Sequence, residues 1–264
     1  MMAAGGITRW STVLVSILLL LGCVCSCNQS TRPKAGVPEQ RGKIKAVVVT
    51  GGHGFEKEPF FAVFDGCDDV EYTEARQQNH SEIFEDVSGW DYDVIVLYNM
   101  TQEISPKRRD NFVKLLDRGV GLVALHHCIG AFQGWGEYRK IIGGKYYLKE
   151  MTEEGVVHSK STYKHDLDIT VHVESPRHPI TRDMKDFAIH DEAYKKSAFE
   201  KDNLVLLTTN HPASDKPLCW VRRYGKAKVC YLQLGHGPEA YANKNYRRLV
   251  SRAIRWCAGR LDEN

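Results

Sequence analysis

Eleven histidines are spread over the 264 residues, and the informative ones stand in five short polar strings: GGHGFE with His53, ALHHC with His126 and His127, TYKHDLD with His165, AIHDEAY with His190, Asp191 and Glu192, and QLGHGPE with His236. Neutral imidazoles beside a carboxylate are what divalent transition metals favour, and a catalytic zinc site uses three protein ligands and leaves one position to water. No local ligand motif such as HExxH is present, so a metal site has to be assembled from distant segments. Glu192 is placed to act as ligand or general base, with Asp191 or His190 in support. The three are consecutive and cannot all face one point on a regular element.

These residues need elements to position them. KIKAVVVT (43–50) and DVIVLY (93–98) have the length and unbroken apolar character of strands buried on both faces, and GLVALHH (121–127) follows as another. Helices are expected over 56–64 and 105–117, the second opened by Ser105 and Pro106, and a final one over 238–257. Strands are also expected at 69–74, 168–174, 204–209, 217–225 and 228–236, and the stretch 146–192 is otherwise irregular. Alternating strands and helices predict an α/β, doubly wound, mostly parallel sheet with helices on both faces, whose crevice lies beyond the carboxyl ends of the strands. His53, His126 and His236 fall at such ends. Alternation along the strand sends His127 to the side opposite His126. His80, His172 and His211 read as surface or structural, His178 as a turn residue, and His158 is left open.

The whole chain narrows the function classes. Thirty-six Lys and Arg against thirty-three Asp and Glu, without a basic block or an aromatic RNA motif, give no indication of nucleic acid. His53 lies in a glycine-rich loop that lets backbone approach a ligand, but the chain lacks a P-loop and GxGxxG, so no nucleotide is expected. The apolar segment WSTVLVSILLLLGC after Arg9 reads as an export signal. Leu20-Leu21-Gly22-Cys23 resembles a bacterial lipobox, which makes Cys23 the lipidated residue, with Cys27 the weaker candidate. Residues 1–27 are thus read as leader, 28–42 as a flexible tether, and 43–260 as one domain in the bacterial cell envelope, held at the membrane by its lipid. Cys67, Cys128, Cys219, Cys230 and Cys257 show no metal-type spacing and no disulfide framework.

The strings GLVALHHCIGAFQGWGEYRKIIGG, YKHDLDITVHVESPRHPIT, FAIHDEAYK, PLCWVRRYGKAKVCYLQLGH and IRWCAGR, in that order, resemble the ThuA-like (trehalose utilisation) family from Lys43 to Arg260. The resemblance implies a fold similar to flavodoxin and class I glutamine amidotransferases. It implies a site at His53, His126, His165, Glu192 and His236, and a substrate among trehalose-type disaccharides or 3-keto sugars. Family members keep the first histidine of HHC and carry small residues at the next two positions, so Cys128 departs from the pattern.

The resulting expectation is a metal-assisted enzyme acting on a glycoside or keto-sugar: one divalent ion, zinc or similar, on His126, His165 and His236, with Glu192 and His53 catalytic and Trp135, Tyr146 and Tyr194 stacking on a small carbohydrate. Two alternatives stand beside it. One is a non-catalytic carbohydrate-binding lipoprotein. The other is a cysteine hydrolase of amidotransferase type using Cys128, although the G-x-C-x-G elbow has His126 in place of its first glycine.

Overall fold

The computed structural model describes residues 42–78 and 80–261; the leader, Cys23 and nearly all of the tether lie outside the described residues. The elements run β1 (Ile44–Gly51), α1 (Lys57–Asp65), β2 (Val70–Arg76), β3 (Val94–Asn99), α2 (Pro106–Arg118), β4 (Gly121–Leu125), α3 (Gly136–Ile142) and β5 (Gly144–Lys145). They continue with β6 (Met151–Glu153), β7 (Val156–His158), β8 (Thr162–Val173), β9 (Phe187–Lys195), β10 (Ala198–Phe199), β11 (Leu204–Thr208), β12 (Pro217–Tyr224), β13 (Ala227–Leu232), α4 (Pro238–Ala242) and α5 (Lys244–Cys257).

The apolar strands are apolar because both of their faces are covered. Along β1, Ala46 and Val48 enter one core with α1, α4 and α5, while Val47 and Val49 enter the other with α2 and α3; β3 and β4 divide in the same way. The nine-stranded sheet has the order β2-β1-β3-β4-β13-β12-β11-β8-β9. Its first five strands are parallel and the last four extend it antiparallel. This is the expected α/β fold with helices on both faces, enlarged at one edge. Because β2 and β3 flank β1, the chain reverses direction across the sheet beside β1, which is where such folds open a crevice.

Three expectations change in detail. The region 146–192 is more ordered than its sequence suggests, since β8 is a twelve-residue strand paired with β9. Strand β4 stops at Leu125, and His126–Gly130 form a 3-10 turn. The last helix is two, because Asn243 adopts extended backbone (φ −64°, ψ 122°) and its side chain accepts from the N–H groups of Asn245 and Tyr246 as the cap of α5. The Asn243 side-chain amide also donates to the Ala188 carbonyl, tying α5 to β9.

Asn243→Ala is therefore expected to cost about 1–2 kcal/mol, seen in urea unfolding as a lower midpoint with an unchanged slope; an unchanged midpoint would show that neither contact matters to the fold.

Candidate functional site

His126 enters the site through its backbone. Directly after β4 its φ is +49°, a left-handed conformation that costs a non-glycine residue of order 1–3 kcal/mol and is tolerated where the surroundings enforce it. The Tyr231 hydroxyl donates to the His126 carbonyl at 3.0 Å. Its Nδ1–H donates to the Gln233 carbonyl at 2.6 Å, which fixes the tautomer and leaves the Nε2 lone pair facing inward, as the outer partner of a metal-bound histidine does. Burial is complete. Desolvation, and after it the neighbouring His127, hold the imidazole well below its usual pKa, so it stays neutral.

Two further donors meet it. The Nε2 of His126 lies 3.1 Å from His236 Nδ1 and 3.9 Å from Glu192 Oε1, and His236 Nδ1 lies 3.2 Å from Glu192 Oε2. Ligand atoms of His126, Glu192 and His236 all fall within 4.8 Å of one another. Metal bonds of about 2.0–2.1 Å at angles near tetrahedral need donor separations of about 3–3.5 Å, so the two imidazoles already stand at a fitting distance. Two histidines and one carboxylate with open positions is a donor set used by zinc hydrolases and by non-haem iron alike. His165, expected as a third imidazole ligand, stands beside this group: its Nδ1 is 2.7 Å from Glu192 Oε2. It gets there through a β-bulge between Lys164 and Leu167, a device that re-aims a side chain.

The consecutive His190, Asp191 and Glu192 part as alternation requires. His190 turns out to Asp168, 2.9 Å away. Asp191 turns the other way and is buried, accepting from the backbone N–H groups of Gly235 (2.7 Å), His236 (2.9 Å) and Glu192 (2.8 Å). Glu192 faces the site, and burial raises its carboxyl to about 7. Burial likewise raises Asp191 to about 6, against the pull of its three N–H donors. Desolvation, then His165, lowers His236.

A cavity of about 250 Å³ opens beside the three donors, lined by Glu192, His165, His53, His127, Tyr146 and Tyr194 together with apolar side chains. His53 is at its rim; its Nδ1–H donates to the Gly54 carbonyl, leaving Nε2 as an acceptor. Tyr146 and Tyr194 are both nearly buried, and the Tyr194 hydroxyl lies 2.8 Å from His126 Nε2.

His127 was expected on the far side, but the turn at His126 ends the alternation. Its ring lies against His53 (4.5 Å between centroids) and Tyr98 (4.4 Å). The strand boundary was the missing signal. Trp135 does not line the cavity: its ring packs in the core beneath α2 and α3 against Phe112, Phe132 and Tyr138. Cys128 is fully buried in that same core, and desolvation pushes its thiol far up, the reverse of what a thiolate nucleophile needs. The five described cysteines are free thiols.

A family model described as ThuA, trehalose utilisation, matches residues 45–257. The chain belongs to the ThuA family. A ThuA-like protein from Parabacteroides merdae superposes with a TM-score of 0.70 at 16% identity, over 83% of this chain and 91% of that one. One from Bacteroides uniformis gives 0.57 at 22%, over 84% and 95%. A β-galactosidase from Bacillus circulans sp. alkalophilus gives 0.52 at 10%, over 83% of this chain and 32% of its own length. At these identities the structures establish the fold alone. No curated protein matches the ThuA chain.

Asp191 binds its proton more tightly in the folded chain than in the unfolded one, so the stability it contributes is complete below about pH 4 and is lost as pH rises through about 6. Urea unfolding between these values should show the parent losing up to about 3 kcal/mol that Asp191→Asn does not lose; identical pH slopes would refute the assignment.

Proposed function

We propose that this ThuA protein is a metal-assisted enzyme acting on a glycoside or keto-sugar, exported and lipid-anchored through Cys23. The observation that carries the reading is the approach of His126 Nε2, His236 Nδ1 and the Glu192 carboxylate to within 4.8 Å at the edge of a ring-sized cavity. His126 and His236 present neutral nitrogens, and one oxygen of Glu192 completes the set while His165 holds the other. A divalent ion there supplies a Lewis acid for a sugar hydroxyl or carbonyl, or lowers the pKa of a water.

The chain's own groups divide the remaining work. His53, at the rim with its Nδ1 turned to the Gly54 carbonyl, presents Nε2 toward the substrate as the catalytic partner. Glu192 serves either as the third ligand or, left off the ion, as the general base that moves the proton. Tyr146 contributes an aromatic wall, and the apolar side chains of Met100, Ile129 and Leu148 exclude water. The cavity is slightly smaller than the roughly 300–1,000 Å³ that encloses a drug-sized ligand, which suits one sugar ring and leaves a second outside. The reading of Cys128 as a nucleophile has no geometric support. A non-catalytic sugar-binding role would use the same cavity without proton transfer.

Elemental analysis of protein purified without chelator should find near-stoichiometric metal in the parent and a large loss in both His126→Ala and His236→Ala; equal content in all three removes the ligand set. Glu192→Gln should lower turnover of a keto-glycoside by at least about 100-fold, whereas sugar binding without any turnover by the metal-loaded parent would favour the non-catalytic role. Cys23→Ser should shift the exported protein from the membrane to the soluble fraction.

A further inference from the structure

Tyr194 has a fixed place and an unusual set of partners. It lies two residues after Glu192 on β9, so both side chains leave the same face of the strand. Its ring is held between Tyr146 (5.1 Å between centroids) and His126 (5.0 Å), and its carbonyl accepts from Asp215 N–H at 2.7 Å. The side chain cannot swing away without opening the core. Its hydroxyl points at His126 Nε2, 2.8 Å off. That nitrogen is a donor atom of the proposed metal set.

A lone pair cannot serve an O–H group and a cation together. Once the single lone pair of His126 Nε2 is engaged, the buried Tyr194 hydroxyl loses that acceptor, and a buried hydroxyl left unpaired is costly. The group able to replace it is an oxygen in the open position beside the cation, reached from the cavity that Tyr194 lines.

We infer that Tyr194 is a substrate-orienting residue whose hydroxyl caps the His126 lone pair when the metal set is empty and transfers its hydrogen bond to the ligand oxygen when the set is filled. The inference rests on the proposed metal set and adds to it a residue that opposes the metal and favours the ligand. A merely structural tyrosine would weaken both, and a bystander would change neither.

The test is the sign of two affinities in the full domain. Zn²⁺ binding, measured against a competing chelator, should become about fivefold tighter in Tyr194→Phe, because the competing hydrogen bond is gone. Acetohydroxamate binding to the Co²⁺-loaded protein, followed by visible absorption, should become about tenfold weaker in the same variant. In the parent, Zn²⁺ should also give a tyrosine ultraviolet difference signal that Tyr194→Phe lacks, and this reading on the parent decides the matter if the variant does not fold. Zn²⁺ binding that is equal or weaker in the variant, or a parent without the difference signal, overturns the role of Tyr194 while leaving the metal set standing. A parent that takes up no Zn²⁺ overturns both.

Discussion

The site depends on one buried carboxylate. His126 and His236 come from the parallel half of the sheet, beyond β4 and β13, whereas His165, Glu192 and Tyr194 come from the antiparallel pair β8 and β9, the strands farthest from β2 in the sheet order. Asp191 joins these halves. Standing on β9, it accepts from the backbone of Gly235 and His236 on the loop after β13, so the edge hairpin folds back over the carboxyl ends of the parallel strands. The loop tolerates this only with glycine at 235, where φ is +110° and a Cβ would meet the Tyr246 hydroxyl at 2.3 Å. Tyr98 donates to the Gly235 carbonyl and Tyr241 to that of His236, fixing the loop from its other side. Burial raises the Asp191 carboxyl, and its three N–H donors offset part of that effect. One buried carboxylate therefore sets the spacing of the site residues.

What the sequence revealed and what it hid follow from how local each signal is. Strands β1, β3 and β4 were legible because burial on two faces leaves an unbroken apolar run, and α2 because Ser105 and Pro106 mark its start. The histidines at the strand ends were legible because a parallel sheet delivers its carboxyl ends to one crevice. Less could be read where a single backbone angle decides. The left-handed residue at 126 turns His127 toward the site, a bulge carries His165 to Glu192, and extended backbone at Asn243 breaks the last helix. None of these has a pattern longer than one residue. Trp135 misled because a tryptophan near a polar motif looks alike whether it packs or stacks. Asp191 and Glu192 were seen together, but only the fold separates the structural carboxylate from the chemical one.

The turn after β4 presents an imidazole to the crevice and withdraws a thiol. The residue held in left-handed backbone at the strand end is His126, and Cys128 is fully buried in the core beneath α2 and α3. Desolvation makes ionisation of a thiol there harder. An imidazole at the strand end needs no ionisation. Burial keeps it neutral, and the Gln233 carbonyl orders its tautomer, so desolvation supplies a lone pair where it would silence a thiol.

Polarity is divided across the site in a way that follows from the same hairpin. Glu192 and His165 line both the cavity bounded by Met100, Ile129 and Leu148 and a second cleft bounded by Glu56, Asp166, Asp191 and Glu239. They stand between a largely apolar space and a cleft that carries both carboxylates and imidazoles. On the apolar side, a lower dielectric strengthens the hydrogen bond from the buried Tyr194 to His126. Glu192 can be raised toward neutrality by burial and still approach two imidazoles only because it stands at this boundary. Deeper burial would leave it protonated, and full exposure would leave its charge screened by water.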